Sequence, residues 1–337
     1  MTDVAVVAAV PPWIATQAKL LLAHKGHAWL LHGPSGLGQY GLAMELARAW
    51  LCEQPGEAGA CGKCGSCHAI DVRTHADLCV LMPETTLLEL GWPLAEKAQS
   101  EIDDKKRKPS KEIRVDAMRD TVEFSQRTSA RGRGKVVLVF PAEQMNTITA
   151  NALLKTLEEP PGDVKFVLAS ESAHQLLPTI RSRCLGHAMH WPDAQASQQW
   201  LHSRGFDAGQ AQLLLKAMGG RPEDVVAFAA SGRDPAAWSS LPKAVARGDT
   251  AFFKDWTLPQ TIDALHKLCH DLMAQHAGAA PRFFAAADLG SGVPLALLSE
   301  WAKALSRNMR TMDHPFNAGL MLEALVGQAK SVLNSVH

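Results

Sequence analysis

The chain has 337 residues, enough for about two or three domains, and 47% of them are hydrophobic. Its 34 lysine and arginine residues balance 34 aspartate and glutamate residues, so no strong overall field draws it to nucleic acid or to an anionic membrane. The first residues lack the basic start of a signal peptide, and no stretch reaches the ~20 apolar residues that span a bilayer, so we expect a cytoplasmic protein without a membrane partner.

Helix and strand patterns alternate over the first 190 residues. Apolar runs predict strands at 27–32, 78–82, 134–140 and 165–170, and amphipathic spacing predicts helices at 17–25, 42–52, 113–128 and 151–161. This alternation predicts an α/β domain with a parallel sheet flanked by helices. The charged segment 100–111 is predicted to be a solvated loop or insertion, and transient contact of its basic residues with nucleic acid is the less favoured alternative.

Beyond about residue 190 the sequence contains only helical patterns. Three short segments end at glycines, and long amphipathic stretches rich in alanine and leucine follow. We therefore place domain boundaries near 190 and 233. The predicted domains are an α/β domain over 1–190, a small helical domain over 191–232 and an all-helical domain over 233–337.

A glycine-rich loop follows the first predicted strand and precedes a helix, as in a phosphate-binding loop. In a working loop, backbone N–H groups wrap the phosphates, a lysine neutralises them, and a serine or threonine hydroxyl ligates Mg²⁺. Here Gly33, Gly36 and Gly38 keep the backbone pattern, whereas Gln39 and Tyr40 occupy the lysine and hydroxyl positions. We expect no functional ATP site in this loop, and the residues leave passive nucleotide binding open.

The second half of an ATP site is also altered. The strand that carries it in NTPases normally ends in acidic residues that hold Mg²⁺ and position water. Here the strand at 134–140 ends in Phe140 and Pro141, and Glu143 lies past the expected catalytic position. Because the cation and the acidic pair are both missing, we expect this chain not to hydrolyse ATP.

Four cysteines, Cys52, Cys61, Cys64 and Cys67, fall within sixteen residues with the spacing C-x₈-C-x₂-C-x₂-C. Four thiolates can enclose one Zn²⁺ ion tetrahedrally and leave no open position for catalysis, so we predict a structural zinc knuckle. An iron–sulfur cluster can also use four thiolates, and the residues do not exclude it. His68 is expected to lie exposed beside the site, and unmetallated thiols are the less favoured alternative.

Three motifs in the same region carry a family resemblance: NALLKTLEEPP at 151–161, KFVLAS at 165–170 and LLPTIRSRC at 176–184. Together they resemble the AAA+ subunits of bacterial DNA polymerase III clamp loaders. Within that family, the loss of the lysine and of the acidic pair resembles the subunit type that does not hydrolyse ATP. The resemblance implies an AAA+ domain with bound zinc, then a helical lid domain, then a helical collar domain that forms a ring with other subunits.

The same resemblance implies a role for residues 181–184. It makes Ser182-Arg183-Cys184 the motif that projects an arginine finger, Arg183, into the ATP site of a neighbouring subunit, with Arg181 as a supporting surface charge. Taken alone, such an arginine is more often part of a structural ion pair. The implied partners are the clamp-loader ATPase subunits, the clamp-opening subunit and, through the assembled complex, primed DNA; direct contact with the sliding clamp stays open. The alternatives are an autonomous AAA+ ATPase and a stand-alone zinc-dependent nucleic-acid-binding protein.

Overall fold

The computed structural model describes residues 10–310 and 317–335 of the chain. Contacts between Cα atoms divide the chain into two compact units that meet between Pro192 and Asp193. This division falls two residues beyond the predicted boundary at 190. The predicted division of the remainder into domains 191–232 and 233–337 stays a prediction, and each unit is described by itself.

The first unit combines five strands with eight α-helices among the described residues. The strands are β1 (Ala28–His32), β2 (Leu78–Leu81), β3 (Lys135–Val139), β4 (Val164–Ser170) and β5 (Leu185–Ala188). The helices are α1 (Pro12–Leu22), α2 (Gln39–Leu51), α3 (Gly65–Asp71), α4 (Glu84–Glu89), α5 (Glu96–Asp103), α6 (Val115–Gln126), α7 (Thr147–Glu158) and α8 (Pro178–Arg181). The predicted parallel α/β sheet flanked by helices is therefore confirmed.

All strand pairs in the sheet are parallel, in the order β2-β3-β4-β1-β5. Strands β3 and β4 are buried along almost their whole length, as expected for strands covered on both faces. Leu31 of β1 pairs with Ala169 and Val139 of β3 pairs with Leu168. The carboxyl ends of β1, β3 and β4 therefore lie along one edge of the sheet, where the glycine-rich loop begins.

Strand β5 was not predicted from the sequence. Its residues, Leu-Gly-His-Ala, form no apolar run, and three of the four are exposed at the margin of the sheet. The strand exists because its backbone pairs with β1, from Trp29 to His32. Helix α1 begins at Pro12 rather than near residue 17, since a proline at the first turn of a helix needs no hydrogen-bonded N–H.

The prediction of a solvated loop at 100–111 was wrong in part. Helix α5 covers its first residues, and Arg107 then donates hydrogen bonds to both carboxylate oxygens of Glu84 and to Glu101. The backbone N–H of Ser110 also donates to Glu84, at 2.8 Å. The hydrogen bonds from Arg107 lower the pKa of Glu84. These charge-assisted hydrogen bonds therefore order a segment whose composition indicated a loop.

The second unit is helical throughout the part of it that the structure describes. Its helices are α9 (Ala194–Ser203), α10 (Ala208–Ala217), α11 (Pro222–Ala230), α12 (Ala237–Arg247), α13 (Leu258–His276), α14 (Leu295–Arg310) and α15 (Ala318–Leu333). Fully buried aromatic side chains, including Trp238, Phe284 and Trp301, fill its interior. None of the helices in the described ranges is both long and apolar enough to cross a bilayer.

Candidate functional site

The glycine-rich loop at the start of α2 is closed on itself. Gly36 and Gly38 have left-handed φ angles of 75° and 92°, a conformation that glycine adopts without steric cost. Gln39 is only 2% exposed, and its side-chain amide Nε2 donates to the carbonyl oxygens of Gly33 and Pro34 at 2.9 and 2.7 Å. Gln39, at the lysine position, therefore hydrogen-bonds to the backbone of its own loop and has no charge with which to bind a phosphate.

An aromatic pair stands at the two sequence positions where an NTPase carries magnesium ligands, the hydroxyl position of the loop and the end of β3. The ring of Tyr40, at the hydroxyl position of the loop, contacts the ring of Phe140, which follows β3, with centroids 5.5 Å apart. The indole Nε1 of Trp92 donates to the Tyr40 hydroxyl at 2.8 Å. Burial raises the pKa of Tyr40, so this hydroxyl is neutral at physiological pH. Neither residue offers the oxygen ligand that Mg²⁺ requires.

Glu143, the acidic residue of the turn after β3, has a different contact. Glu143, in the turn after β3, accepts a hydrogen bond from the backbone N–H of Glu171 through Oε1, at 3.0 Å. Its other oxygen, Oε2, is buried and accepts no hydrogen bond from the described residues. Glu143 thus links the turn after β3 to the turn after β4. Sequence reasoning identified the missing acids but not these contacts, because Trp92 lies 52 residues from Tyr40 in the chain.

Restoring the two altered loop residues is not expected to restore hydrolysis. A chain with Gln39→Lys and Tyr40→Thr regains a cation and a short hydroxyl, but Phe140 still stands where a carboxylate would hold Mg²⁺. Loss of the Trp92 hydrogen bond and of the ring contact should lower the free energy of unfolding by about 1–3 kcal/mol.

Phosphate release and thermal unfolding of the purified double variant measure both effects. Tyr40→Phe is the matched control, since it keeps the ring and removes only the hydroxyl. Steady ATP turnover by the double variant alone would contradict our reading of the Phe140 position.

Residues 182–184 follow α8 and lie beside the carboxyl end of α7. The guanidinium of Arg183 donates through Nε to Glu158 Oε1 at 2.5 Å, and Nη2 pairs with the same oxygen. Nη1 donates to the backbone oxygen of Thr179 at 2.8 Å. The Arg183 side chain keeps 31% exposure. The isolated chain thus contains the ion pair that the sequence offered as the alternative to a finger, with a partner that sequence reasoning did not identify.

Ser182 and Cys184, on either side of Arg183, also contact neighbouring parts of the first unit. Ser182 donates through Oγ to the Thr179 carbonyl at 3.2 Å. Cys184 is half-buried against the core cluster beneath the sheet, a group of buried side chains that includes Leu157, Phe166 and Ile180. Burial raises the pKa of its thiol to about 12. A thiol that remains protonated is a poor nucleophile, so Cys184 contributes packing. Arg181 is exposed and its side chain makes no ion pair or hydrogen bond with the described residues.

The four clustered cysteines converge at the far end of α2. All four Sγ atoms lie within 4.8 Å of one another, and the separations are 3.8 Å for Cys52–Cys64, 3.8 Å for Cys52–Cys67 and 4.0 Å for Cys61–Cys67. Four sulfurs about 2.3 Å from one central ion stand roughly 3.8 Å apart in a tetrahedron. The donor set therefore fits one tetrahedral metal ion.

Backbone groups and a short helix shape this cysteine cluster. Cys64 caps the N-terminus of α3 and accepts the N–H of Cys67, while Cys52 accepts the N–H of Cys61 at 3.3 Å. Such N–H donors favour the thiolate form that binds metals. His68 is exposed, as predicted, and it lies outside the group formed by the four cysteine sulfurs.

The cysteine cluster and the glycine-rich loop lie at opposite ends of α2, whose 13 residues separate them by about 20 Å. Ile70 of α3 packs with Leu51 and Val136 in a small core shared with α2 and β3. Arg48 of α2 also pairs with Asp71 at the end of α3. The cysteine cluster therefore lies next to the packed contact between α2 and α3, at the end of α2 that is remote from the glycine-rich loop.

A parallel sheet of this order with a phosphate-loop turn after β1 defines an AAA+-like module in which Gln39 and Tyr40 stand at the lysine and hydroxyl positions of the loop. A solved structure of a DNA polymerase III gamma subunit-related protein from Thermotoga maritima matches 96% of this chain and 100% of its own, with a TM-score of 0.52 and 16% identity. At that identity the likeness establishes the fold alone.

Residues 15–190 match the family model described as DNA polymerase III, delta subunit, and the chain belongs to this family. The DNA polymerase III subunit delta' of Pseudomonas aeruginosa is 37% identical over 279 residues, which cover 83% of this chain and 70% of that protein. Its counterpart in Escherichia coli K12 is 33% identical over 224 residues, 64% of this chain and 60% of that protein. The family resemblance read from the sequence is therefore confirmed.

Proposed function

We propose that this chain is a non-hydrolysing subunit of a DNA polymerase III clamp loader and helps to load the sliding clamp onto primed DNA. The observation that carries this proposal is the contact between Tyr40 and Phe140, which stand at the positions of the magnesium ligands in an otherwise AAA+-like fold. The relatives in Pseudomonas aeruginosa and Escherichia coli carry the name of a DNA polymerase III subunit, which supports a role inside that assembly.

Arg183 acts, in this proposal, on the ATP bound by a neighbouring subunit. A planar guanidinium can hold two γ-phosphate oxygens and stabilise the charge that develops in the transition state. Arg183 suits this task because it is partly exposed and belongs to the Ser-Arg-Cys motif. The altered loop of this chain then contributes a rigid surface to the ring, and ATP is hydrolysed at the site of the neighbouring subunit.

The metal ion held by the cysteine cluster is zinc in this proposal. Sulfur separations of 3.8–4.0 Å match one shared tetrahedral ion. An iron–sulfur cluster divides four thiolates among two or four irons, so cysteine sulfurs bound to different irons stand further apart than sulfurs that share one ion. With four thiolates bound, Zn²⁺ has no open position, and its contribution is structural.

The direct partners in this proposal are the ATPase subunits and the clamp-opening subunit. Residues 233–337 would join them as a collar, with residues 191–232 as a lid. The sliding clamp is a further partner to be tested. An autonomous ATPase would need oxygen ligands for Mg²⁺ that Tyr40 and Phe140 do not supply. A stand-alone nucleic-acid-binding protein would need a basic surface, whereas the chain has no net charge and the knuckle carries one lysine, Lys63, between Cys61 and Cys67.

Reconstitution tests this proposal. The chain is mixed with the ATPase and clamp-opening subunits of its own organism, and the mixture is separated by gel filtration. We expect a complex that loads clamps on primed DNA only when the chain is included, and no ATP turnover by the chain alone. Failure to enter the complex would overturn the proposal. Turnover by the pure chain would favour the autonomous ATPase, and salt-sensitive DNA binding by the pure chain would favour the nucleic-acid-binding protein.

A further inference from the structure

We propose that Glu158 is the positioning residue for Arg183: it orients the guanidinium so that one edge is left for the phosphate of the neighbouring subunit. This inference rests on the proposed function. Glu158 is the last residue of α7 and Arg183 follows α8, so the pair joins two elements across 25 residues of chain.

The hydrogen bonds define which edge of the guanidinium is occupied. Nε and Nη2 of Arg183 both face Glu158 Oε1, and Nη1 donates to the Thr179 carbonyl. A guanidinium carries five N–H groups in a rigid planar fork. With its Nε/Nη2 edge bound to the carboxylate, the guanidinium meets only uncharged acceptors at Nη1, the Thr179 carbonyl and, at 3.4 Å, the Ser182 hydroxyl. Phosphate oxygens can replace these uncharged acceptors along the Nη1/Nη2 edge, which has the spacing for two of them.

The buried surroundings make this arrangement rigid. The Ile180 side chain, in α8, is fully buried in the core cluster beneath the sheet, and Cys184 packs against the same cluster. The backbone on both sides of Arg183 is therefore fixed. The end of α7 is fixed as well, because Leu157 is fully buried beside Glu158. A flexible arginine side chain anchored between two fixed backbones loses less freedom when it meets its substrate.

The opposite role would be storage, in which Glu158 competes with the phosphate and must release Arg183 before hydrolysis. The geometry favours positioning because the carboxylate binds the Nε/Nη2 side, whereas Nη1 meets only the uncharged oxygens of Thr179 and Ser182, which compete with a phosphate less than a carboxylate does. The two roles give opposite results when Glu158 is removed: positioning predicts slower hydrolysis and storage predicts faster hydrolysis.

The test measures kcat and KM for ATP in the full reconstituted complex, with the other nucleotide sites disabled so that one site is observed. Glu158→Ala is expected to lower kcat about 10- to 100-fold with little change in KM. Glu158→Gln retains an oxygen that accepts from Arg183 and should restore most of the rate. Glu159→Ala is the matched control, because Glu159 is adjacent, exposed and without a side-chain partner in the described ranges.

Further variants separate the outcomes. Glu158→Ala in an Arg183→Ala background should cause no additional loss, and both chains should enter the complex and unfold at nearly the unsubstituted temperature. An unchanged or faster rate for Glu158→Ala, while Arg183→Ala is slow, overturns the positioning role and leaves the proposed function standing. An unchanged rate for Arg183→Ala overturns the finger itself. A loss by Glu158→Ala that persists without Arg183 also overturns the inference.

Discussion

Replacing Arg183 by alanine is expected to lower ATP turnover at the neighbouring site of the assembled complex by about 10³-fold or more, the range seen for arginine fingers in related chemistry. The reason is electrostatic, because the guanidinium neutralises charge that appears on the γ-phosphate as the bond breaks. ATP binding at that site should change much less. Single-turnover hydrolysis in the reconstituted complex measures this effect directly.

The control for this experiment is the nearby Arg181. Arg181→Ala removes the same charge two residues away, from a side chain that makes no ion pair among the described residues. It should leave turnover nearly unchanged. The Arg183→Ala chain should also remain folded, since its ion pair with Glu158 is about half exposed and such pairs contribute little to stability. Equal turnover in both variants would contradict the finger assignment.

Removing the metal ion is expected to unfold the segment that contains the cysteine cluster. Binding of structural Zn²⁺ to zinc-finger peptides is worth about 10–16 kcal/mol near neutral pH, and Cys67 is fully buried at the centre of the site. Treatment with a strong chelator should expose all four cluster thiols to titration, and Cys67→Ser should expose the three that remain. Hydrogen exchange should increase first in α3, because its N-terminus is capped by Cys64.

Metal analysis accompanies this experiment, with one equivalent of zinc expected per chain. Cys79→Ser is the matched control, since Cys79 lies outside the cluster, is half-buried and contacts the Thr121 hydroxyl at 3.5 Å. It should keep the zinc and the slow exchange of α3. A chain that binds iron, or one that retains protected α3 amides after complete metal removal, would contradict the structural zinc knuckle.

Most of the sheet could be predicted because β3 and β4 are buried on both faces, and such strands are continuous apolar runs in the sequence. Strand β5 could not be predicted, since its identity depends on backbone pairing with β1 rather than on its side chains. The charged segment was misread for a related reason. Its order depends on the hydrogen bonds from Arg107 to Glu84, 23 residues away, and local composition cannot predict a contact at that distance along the chain.

The sequence by itself determined which ATP-site residue is missing and which cysteine side chains can serve as metal ligands. A lysine absent from the glycine-rich loop and four cysteines at knuckle spacing are facts of residue type and of short distance along the chain. Only the tertiary structure decided what replaces the lost chemistry. Tyr40 meets Phe140, and Arg183 meets Glu158, because strands and helices distant in sequence end at the same edge or corner. Contacts of this kind arise from packing of the whole core, so no local pattern encodes them.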